Sequence, residues 1–236
     1  MTITVARTFH GPADSGNGGY TCGVFATRLG DEYGWRGPVE VTLRKPPPLD
    51  VPMEVNVDGD NAELRWREHV IATATPALLT QELDPVVSFE EALATAPNYD
   101  GHVEHPFPSC FVCGPQRSRD DALVLLPGPV SEGVVAAAWE VQPWATGPEF
   151  CWAALDCPTG WAIGLVGRPA VLGRMTTEVV RTPEPGERCV VVGRHLSRDG
   201  RKAFARGTLW GADGSVLART ATTWIEVDPT QIRPPS

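Results

Sequence analysis

The C-terminal third of the chain consists of short β-rich runs, in which apolar and polar residues alternate, separated by turn residues. Asp199-Gly200 and Asp213-Gly214 are dipeptides typical of tight hairpin turns, and they separate the last three of these runs. The pattern predicts an antiparallel meander of strands. The predicted strands cover residues 176–181, 188–196, 203–210 and 216–227.

A helical pattern precedes the meander. Between residues 149 and 166 the apolar residues recur at helical spacing, although Pro158 would kink or divide a helix at this point. Two strands are predicted before the helix, over 122–126 and 134–141. The second half of the chain is therefore expected to contain strands, one helix and a strand meander, in that order.

The first half of the chain repeats this plan. A helix is predicted over 18–29, and strands are predicted over 39–44, 53–57, 62–67 and 70–79. Both halves also carry an Arg-x-Pro-x-Pro-x-acid pattern between two strands, at 44–50 and 181–187. These copies lie more than a hundred residues apart, which indicates gene duplication rather than a solenoid repeat. Two similar proline turns arising by coincidence remain the alternative.

The repeat divides the chain into two domains of ordinary size. We expect an N-terminal domain over 1–83, a linker over 84–117 and a C-terminal domain over 118–236. The linker is irregular and rich in proline near its end, with one short helix predicted over 87–96.

Composition excludes several classes of function. The net charge of -9 and the pI of about 5.0 predict an acidic surface, which repels nucleic acid. No stretch approaches the roughly 20 apolar residues needed to cross a bilayer, so no membrane association is expected. The N-terminal residues lack the pattern of a secretory signal, and the six cysteines are widely spread. We therefore expect a cytoplasmic protein with reduced thiols.

A strand, a long helix and a meander of long antiparallel strands form the order of the hotdog fold. Residues 199–224 resemble the end of a hotdog thioesterase. Residues 122–228 are most similar to the phenylacetate-pathway and 4-hydroxybenzoyl-CoA thioesterases, and residues 1–80 carry a fainter likeness. The resemblance implies an α+β double hotdog, in which two antiparallel sheets each wrap a central helix and form a pseudo-dimer.

The resemblance also implies where the active site lies. In one branch of the family the helix opens with His-Gly-Gly and carries an acidic residue nine positions after the histidine. The second half keeps the acid, Asp156, but has Gly-Pro-Glu at the helix opening, 147–149. The first half has Asn17-Gly18-Gly19 at its opening and Ala26 in place of the acid. A single composite site is implied, with the glycine amides of one half facing Asp156 of the other.

The residue types suit thioester hydrolysis. The first N–H groups of a helix are unpaired and lie at the positive end of its dipole, so the amides of Gly18 and Gly19 could accept a carbonyl oxygen. Asp156 could act as a base or as a nucleophile, and a capping or exposed acid is the alternative. Asn17 would orient the substrate or cap the first helix. Three residues are candidates for substrate binding: Tyr20, Thr176 and Thr177.

The implied function is that of an acyl-thioester hydrolase acting on acyl-CoA or an acyl-carrier thioester, without a cofactor. The chain would act as a monomeric pseudo-dimer or as a homodimer. A double hotdog that binds an acyl ligand without turnover is an alternative. An enoyl-thioester hydratase is a weaker one, because residues 14–20 lack the histidine and the spacing of the hydratase motif.

One further motif lies in the linker. Cys110 and Cys113 follow His102 and His105 in a His-x2-His-x4-Cys-x2-Cys arrangement. Such residues could hold a tetrahedral zinc ion or form a redox pair. A single CxxC is a weak motif, and the two pairs of zinc ligands in a protein are usually further apart. Packed thiols are therefore expected, and no metal is assigned to the site.

Overall fold

The computed structural model describes residues 1–235, and within that range three α-helices and eleven β-strands are found. The elements of the first half and the linker are β1 (Thr2–Thr4), α1 (Gly18–Tyr33), β2 (Val39–Leu43), β3 (Pro52–Asp58), β4 (Asn61–Trp66), β5 (His69–Pro76) and α2 (Phe89–Thr95). The elements of the second half are β6 (Gly128–Ser131), β7 (Val134–Glu140), α3 (Pro148–Ala162), β8 (Ala170–Val179), β9 (Arg188–Asp199), β10 (Lys202–Trp210) and β11 (Val216–Glu226).

The strands form one antiparallel sheet in the order β1-β3-β4-β5-β2-β8-β11-β10-β9-β7-β6. The two halves meet at the pairing of β2 with β8, which runs from Val39 opposite Thr177 to Thr42 opposite Arg174. The two half-sheets expected from the sequence join edge to edge here and form one continuous sheet. The long helices α1 and α3 pack against each other, and both contact strands of this sheet.

Turn residues set the ends of several elements. The side chain of Asn17 accepts a hydrogen bond from the N–H of Tyr20 and caps the start of α1. The helix ends at Gly34, which has a φ of 71° that favours glycine. The two Asp-Gly hairpins predicted in the second half are present, with Gly200 and Gly214 at positive φ. These hairpins set the register of the meander.

One predicted strand is wrong, and one of the two alternatives for Pro158 is excluded. Pro158 does not divide α3, which is continuous from Pro148 to Ala162 and is buried along nearly its whole length. Residues 122–126 do not form a strand, since Val124 has a φ of 52°. Instead the N–H groups of Leu123 and Leu125 donate to the carbonyls of Phe111 and Val112. This segment is therefore attached to the linker.

The linker is anchored to the second half by a buried ion pair network. Oδ1 of Asp84 accepts hydrogen bonds from Nε of Arg194 and Nε of Arg206, each at 3.0 Å. Its other oxygen accepts from the hydroxyl of Thr208 at 3.2 Å. Burial of a carboxyl group is unfavourable unless it has such hydrogen-bond partners. The linker is thus held on the sheet rather than left as a free connection.

Within residues 1–235, none of the helices has the length and apolar character needed to cross a membrane.

Candidate functional site

The site is centred on Asp156, in the middle of α3. Its side chain is buried, with the whole residue only 2% exposed. Oδ2 accepts hydrogen bonds from the backbone N–H of Gly19 and from Nδ2 of Asn17, each at 2.9 Å. Oδ1 has no hydrogen-bond partner among the described residues. The acid of the second half therefore meets the helix start of the first half, as the composite arrangement requires.

Burial raises the pKa of the Asp156 carboxyl group to about 7. The hydrogen bond from the Gly19 N–H opposes this shift, the nearby Cys110 adds to it, and the hydrogen bond from Asn17 again opposes it. A carboxyl group with a pKa near neutrality can exchange a proton at physiological pH.

Glycine is required where the two helices approach each other. A Cβ on Gly19 would lie 2.4 Å from Cβ of Asp156 and 2.7 Å from the carbonyl oxygen of Trp152. On the side of the sheet, a Cβ on Gly18 would lie 2.9 Å from Cβ of Leu172 in β8. The Asn-Gly-Gly sequence thus allows the backbone of α1 to reach Asp156 directly.

The two glycine amides have different roles in this structure. The Gly19 N–H, which the sequence places at the substrate carbonyl, donates to Asp156. Gly18 is the first residue of α1, and its N–H has no acceptor among residues 1–235. Gly18 also lines the adjacent cavity.

A cavity of about 220 Å³ opens beside Asp156. Asn17, Gly18 and Asp156 form one side of it. The remaining wall is largely apolar and includes Trp161, Leu165, Leu172, Trp224 and Ile225. Arg44 and Lys45 also line the cavity, and both are exposed. This combination of an apolar wall with a few polar groups is typical of a ligand site.

The three predicted substrate-binding residues do not line this cavity. Tyr20 stacks on Phe9, with ring centroids 4.1 Å apart. Strand β8 reaches the cavity with residues 170–173, whereas Thr176 and Thr177 lie further along the strand. Thr177 shares a hydrogen bond of 2.8 Å with Thr220. The register of β8, which the sequence does not define, separates these threonines from the site.

The linker supplies a wall of the cavity that the sequence does not predict. His105, Phe107, Cys110 and Cys113 line it together with Cys157 of α3. The Sγ atoms of Cys110 and Cys157 are 3.7 Å apart, and Nε2 of His105 is 3.3 Å from Sγ of Cys113. The CxxC motif singles out these linker cysteines in the sequence, but it does not contain the long-range contact with Cys157 that brings them to the site.

The equivalent position in the other half lacks these groups. A shallow depression there is lined by Ala26, Pro148, Trp152 and Arg181, among others. Ala26 has no carboxylate, and Pro148 has no N–H at the start of α3. The two halves of the molecule are therefore asymmetric in their chemistry.

No protein-family model and no curated protein matches the chain. Solved structures with the hotdog fold do match. A conserved protein of unknown function with a hotdog fold from Alicyclobacillus acidocaldarius is 14% identical, with a TM-score of 0.64 over 97% of this chain and 93% of the other. A candidate thioesterase from Novosphingobium aromaticivorans is 16% identical, with a TM-score of 0.64 over 96% and 95%.

The tesB protein of Mycobacterium avium subspecies paratuberculosis is 10% identical, with a TM-score of 0.57 over 92% of this chain and 89% of that protein. These similarities cover nearly the whole of each chain. The prediction of a double hotdog fold is thereby confirmed.

Proposed function

We propose that the protein hydrolyses an acyl thioester in the cavity between the two hotdog halves. The observation that carries this proposal is the buried Asp156 carboxylate, held by the first turn of α1 at the wall of an apolar cavity. The fold is shared with a candidate thioesterase from Novosphingobium aromaticivorans, which supports the proposal.

The Gly18 N–H is the donor proposed for the thioester carbonyl. It carries part of the positive end of the α1 dipole and has no acceptor among the described residues. Negative charge that develops on the carbonyl oxygen during attack would be stabilised there. One such donor contributes about 3 kcal/mol to acyl transfer in other enzymes.

Asp156 is the proposed base. It takes a proton from a water molecule, whose oxygen then forms a bond to the carbonyl carbon. The C–S bond breaks as the tetrahedral intermediate collapses, and the proton passes to the departing thiolate. Direct attack by the carboxylate, followed by hydrolysis of the anhydride, is the variant of this mechanism that uses the same residue.

The cavity suggests which substrates fit. Its apolar wall favours a compact acyl or aryl group in contact with Trp161, Leu172 and Trp224. Arg44 and Lys45 are exposed cations at the same cavity and would pair with phosphate. Coenzyme A and the phosphopantetheine arm of an acyl carrier both present phosphate, so both belong in the assay.

The test compares Asp156→Asn with wild-type protein on a panel of acyl-CoA and acyl-carrier thioesters. Because asparagine cannot accept the proton, kcat/KM should fall by at least about 100-fold, while binding of a non-hydrolysable thioether analogue is retained. Glu149→Gln is the matched control, since it neutralises a carboxylate of the same helix that does not line the cavity.

Full activity in Asp156→Asn would exclude the proposed mechanism. Wild-type protein that binds the thioether analogue but hydrolyses none of the thioesters would identify a non-catalytic acyl-binding protein instead.

A further inference from the structure

Three cysteine thiols converge beside the site. The sulfur atoms of Cys110, Cys113 and Cys157 all lie within 4.8 Å of one another, and all three residues are buried. Two come from the linker and the third from α3. Thiolates bound to zinc lie about 2.3 Å from the metal, so the sulfur atoms of a tetrahedral site are about 3.8 Å apart. The observed 3.7 Å between Cys110 and Cys157 fits that spacing.

A tight turn in the linker carries Cys110 and Cys113. The N–H of Gly114 donates to the carbonyl of Cys110 at 2.9 Å, which closes a tight turn around the CxxC motif. A Cβ on Gly114 would lie 2.6 Å from the backbone of Cys110, so only glycine fits there. The thiols of Cys113 and Cys157, and the backbone N–H groups of Cys113 and Val112, lower the pKa of Cys110.

Burial disfavours the charged form of the Cys113 and Cys157 thiols. Desolvation is the largest cause that raises the pKa of Cys113 and of Cys157. A bound divalent cation reverses this effect, because coordinating thiols lose their protons to the metal. The three sulfur atoms are close enough together to be ligands of one cation.

His105 belongs to this cluster as a hydrogen-bond donor. Its Nδ1 accepts from the N–H of Phe107 at 2.9 Å, so the ring proton of the neutral imidazole is on Nε2. That Nε2–H lies 3.3 Å from Sγ of Cys113 and stabilises negative charge on the sulfur. His102, the other histidine of the motif, instead contacts the carbonyl of Ala96.

We propose that Cys110, Cys113 and Cys157 bind one zinc ion, with His105 donating its N–H to the Cys113 thiolate. The fourth coordination position faces the cavity that the three cysteines line and is filled by water. The metal connects the linker to α3 at the residue after Asp156. This inference does not depend on the proposed hydrolase activity.

The first experiment measures metal in the full-length protein purified under reducing conditions. Elemental analysis should find about one zinc per chain. Cobalt(II) added to chelator-treated wild-type protein should give the thiolate-to-metal charge-transfer and d–d bands of a tetrahedral thiolate site. Because the cobalt titration uses the wild-type sequence, it tests metal binding by the thiolates even if a cysteine variant fails to fold.

Variants then assign the ligands. Cys157→Ser should reduce the bound zinc to below a tenth of the wild-type content and abolish the cobalt charge-transfer bands. Cys189→Ser is the matched control, since Cys189 is a buried free thiol outside the cluster, and it should keep the full zinc content. His105→Gln should retain stoichiometric zinc but bind it about 10- to 100-fold more weakly, as expected for an outer-shell partner.

Reduced wild-type protein that contains no zinc and gives no cobalt bands would overturn the proposal. A disulfide between Cys110 and Cys157 in protein isolated without reductant, together with no metal uptake after reduction, would assign a redox pair instead. Loss of activity in Asp156→Asn alongside either result would show that the metal proposal alone had failed.

Discussion

At the scale of single residues, the two ends of the Asn17 amide have different hydrogen-bond partners. Oδ1 accepts from the N–H of Tyr20, which fixes the orientation of the amide group. Nδ2 must then face Asp156, to which it donates at 2.9 Å. The sequence leaves helix capping and substrate orientation open as alternatives for this residue. In the structure it caps the helix and also positions the acid.

Two substitutions separate these roles. Asn17→Ser and Asn17→Asp both retain a favoured capping residue, so neither should lose the cap. The serine variant loses the donor to a buried carboxylate and should be destabilised by about 1–3 kcal/mol. The aspartate variant also places a second carboxyl group against Asp156 and should be less stable still. Urea unfolding of the three proteins measures this order, and equal stability of the two variants would contradict the assigned amide orientation.

At the scale of elements, the close approach of α1 to α3 depends on glycines one turn apart. A Cβ on Gly23 would lie 2.7 Å from Cα of Glu149 and 2.8 Å from Cβ of Trp152. Gly19 makes the equivalent approach to Asp156. The helix packing thus uses the same glycine-lined face that brings the backbone N–H to the acid. The glycine-lined face of α1 therefore determines both the packing of the two helices and the geometry of the site.

Gly23→Ala and Gly30→Ala form a matched pair within α1. Gly23→Ala should destabilise the protein by about 1–3 kcal/mol, because the added methyl group forces the helices apart. At Gly30 the nearest atom to an added Cβ is 3.5 Å away, so the higher helix propensity of alanine should leave stability unchanged or raise it by up to about 1 kcal/mol. Thermal unfolding followed by circular dichroism distinguishes them. Equal effects at both positions would refute the close-packed interface.

The elements that could be predicted from the sequence are those whose structure is determined by the residue pattern within the element itself. The hairpins around Gly200 and Gly214 combine alternation with turn residues, and both are present. The segment 122–126 is apolar but lies outside the sheet, because its backbone donors bond to the linker. Likewise, the linker's place in the cavity depends on the long-range meeting of Cys110 and Cys157, which no local pattern contains.

At the scale of the whole molecule, the two halves share a sheet and a helix interface. Strand β2 of the first half is a central strand, paired with β5 on one side and with β8 of the second half on the other. The repeated plan of the two halves could be predicted from the sequence. The joining of the half-sheets could not, since strand pairing between domains leaves no signal in the residues of either strand.

The shared sheet predicts that the two halves unfold together. Opening either half would unpair β2 from β8 and expose the α1–α3 interface, so neither half can unfold without disrupting the other. Hydrogen exchange read by mass spectrometry should therefore give the same free energy of opening for peptides covering β2 and β8. Peptides covering β1, a three-residue strand at the sheet edge, should exchange faster and serve as an internal comparison. Two well-separated opening energies for β2 and β8 would show instead that the hotdog halves are independent folding units.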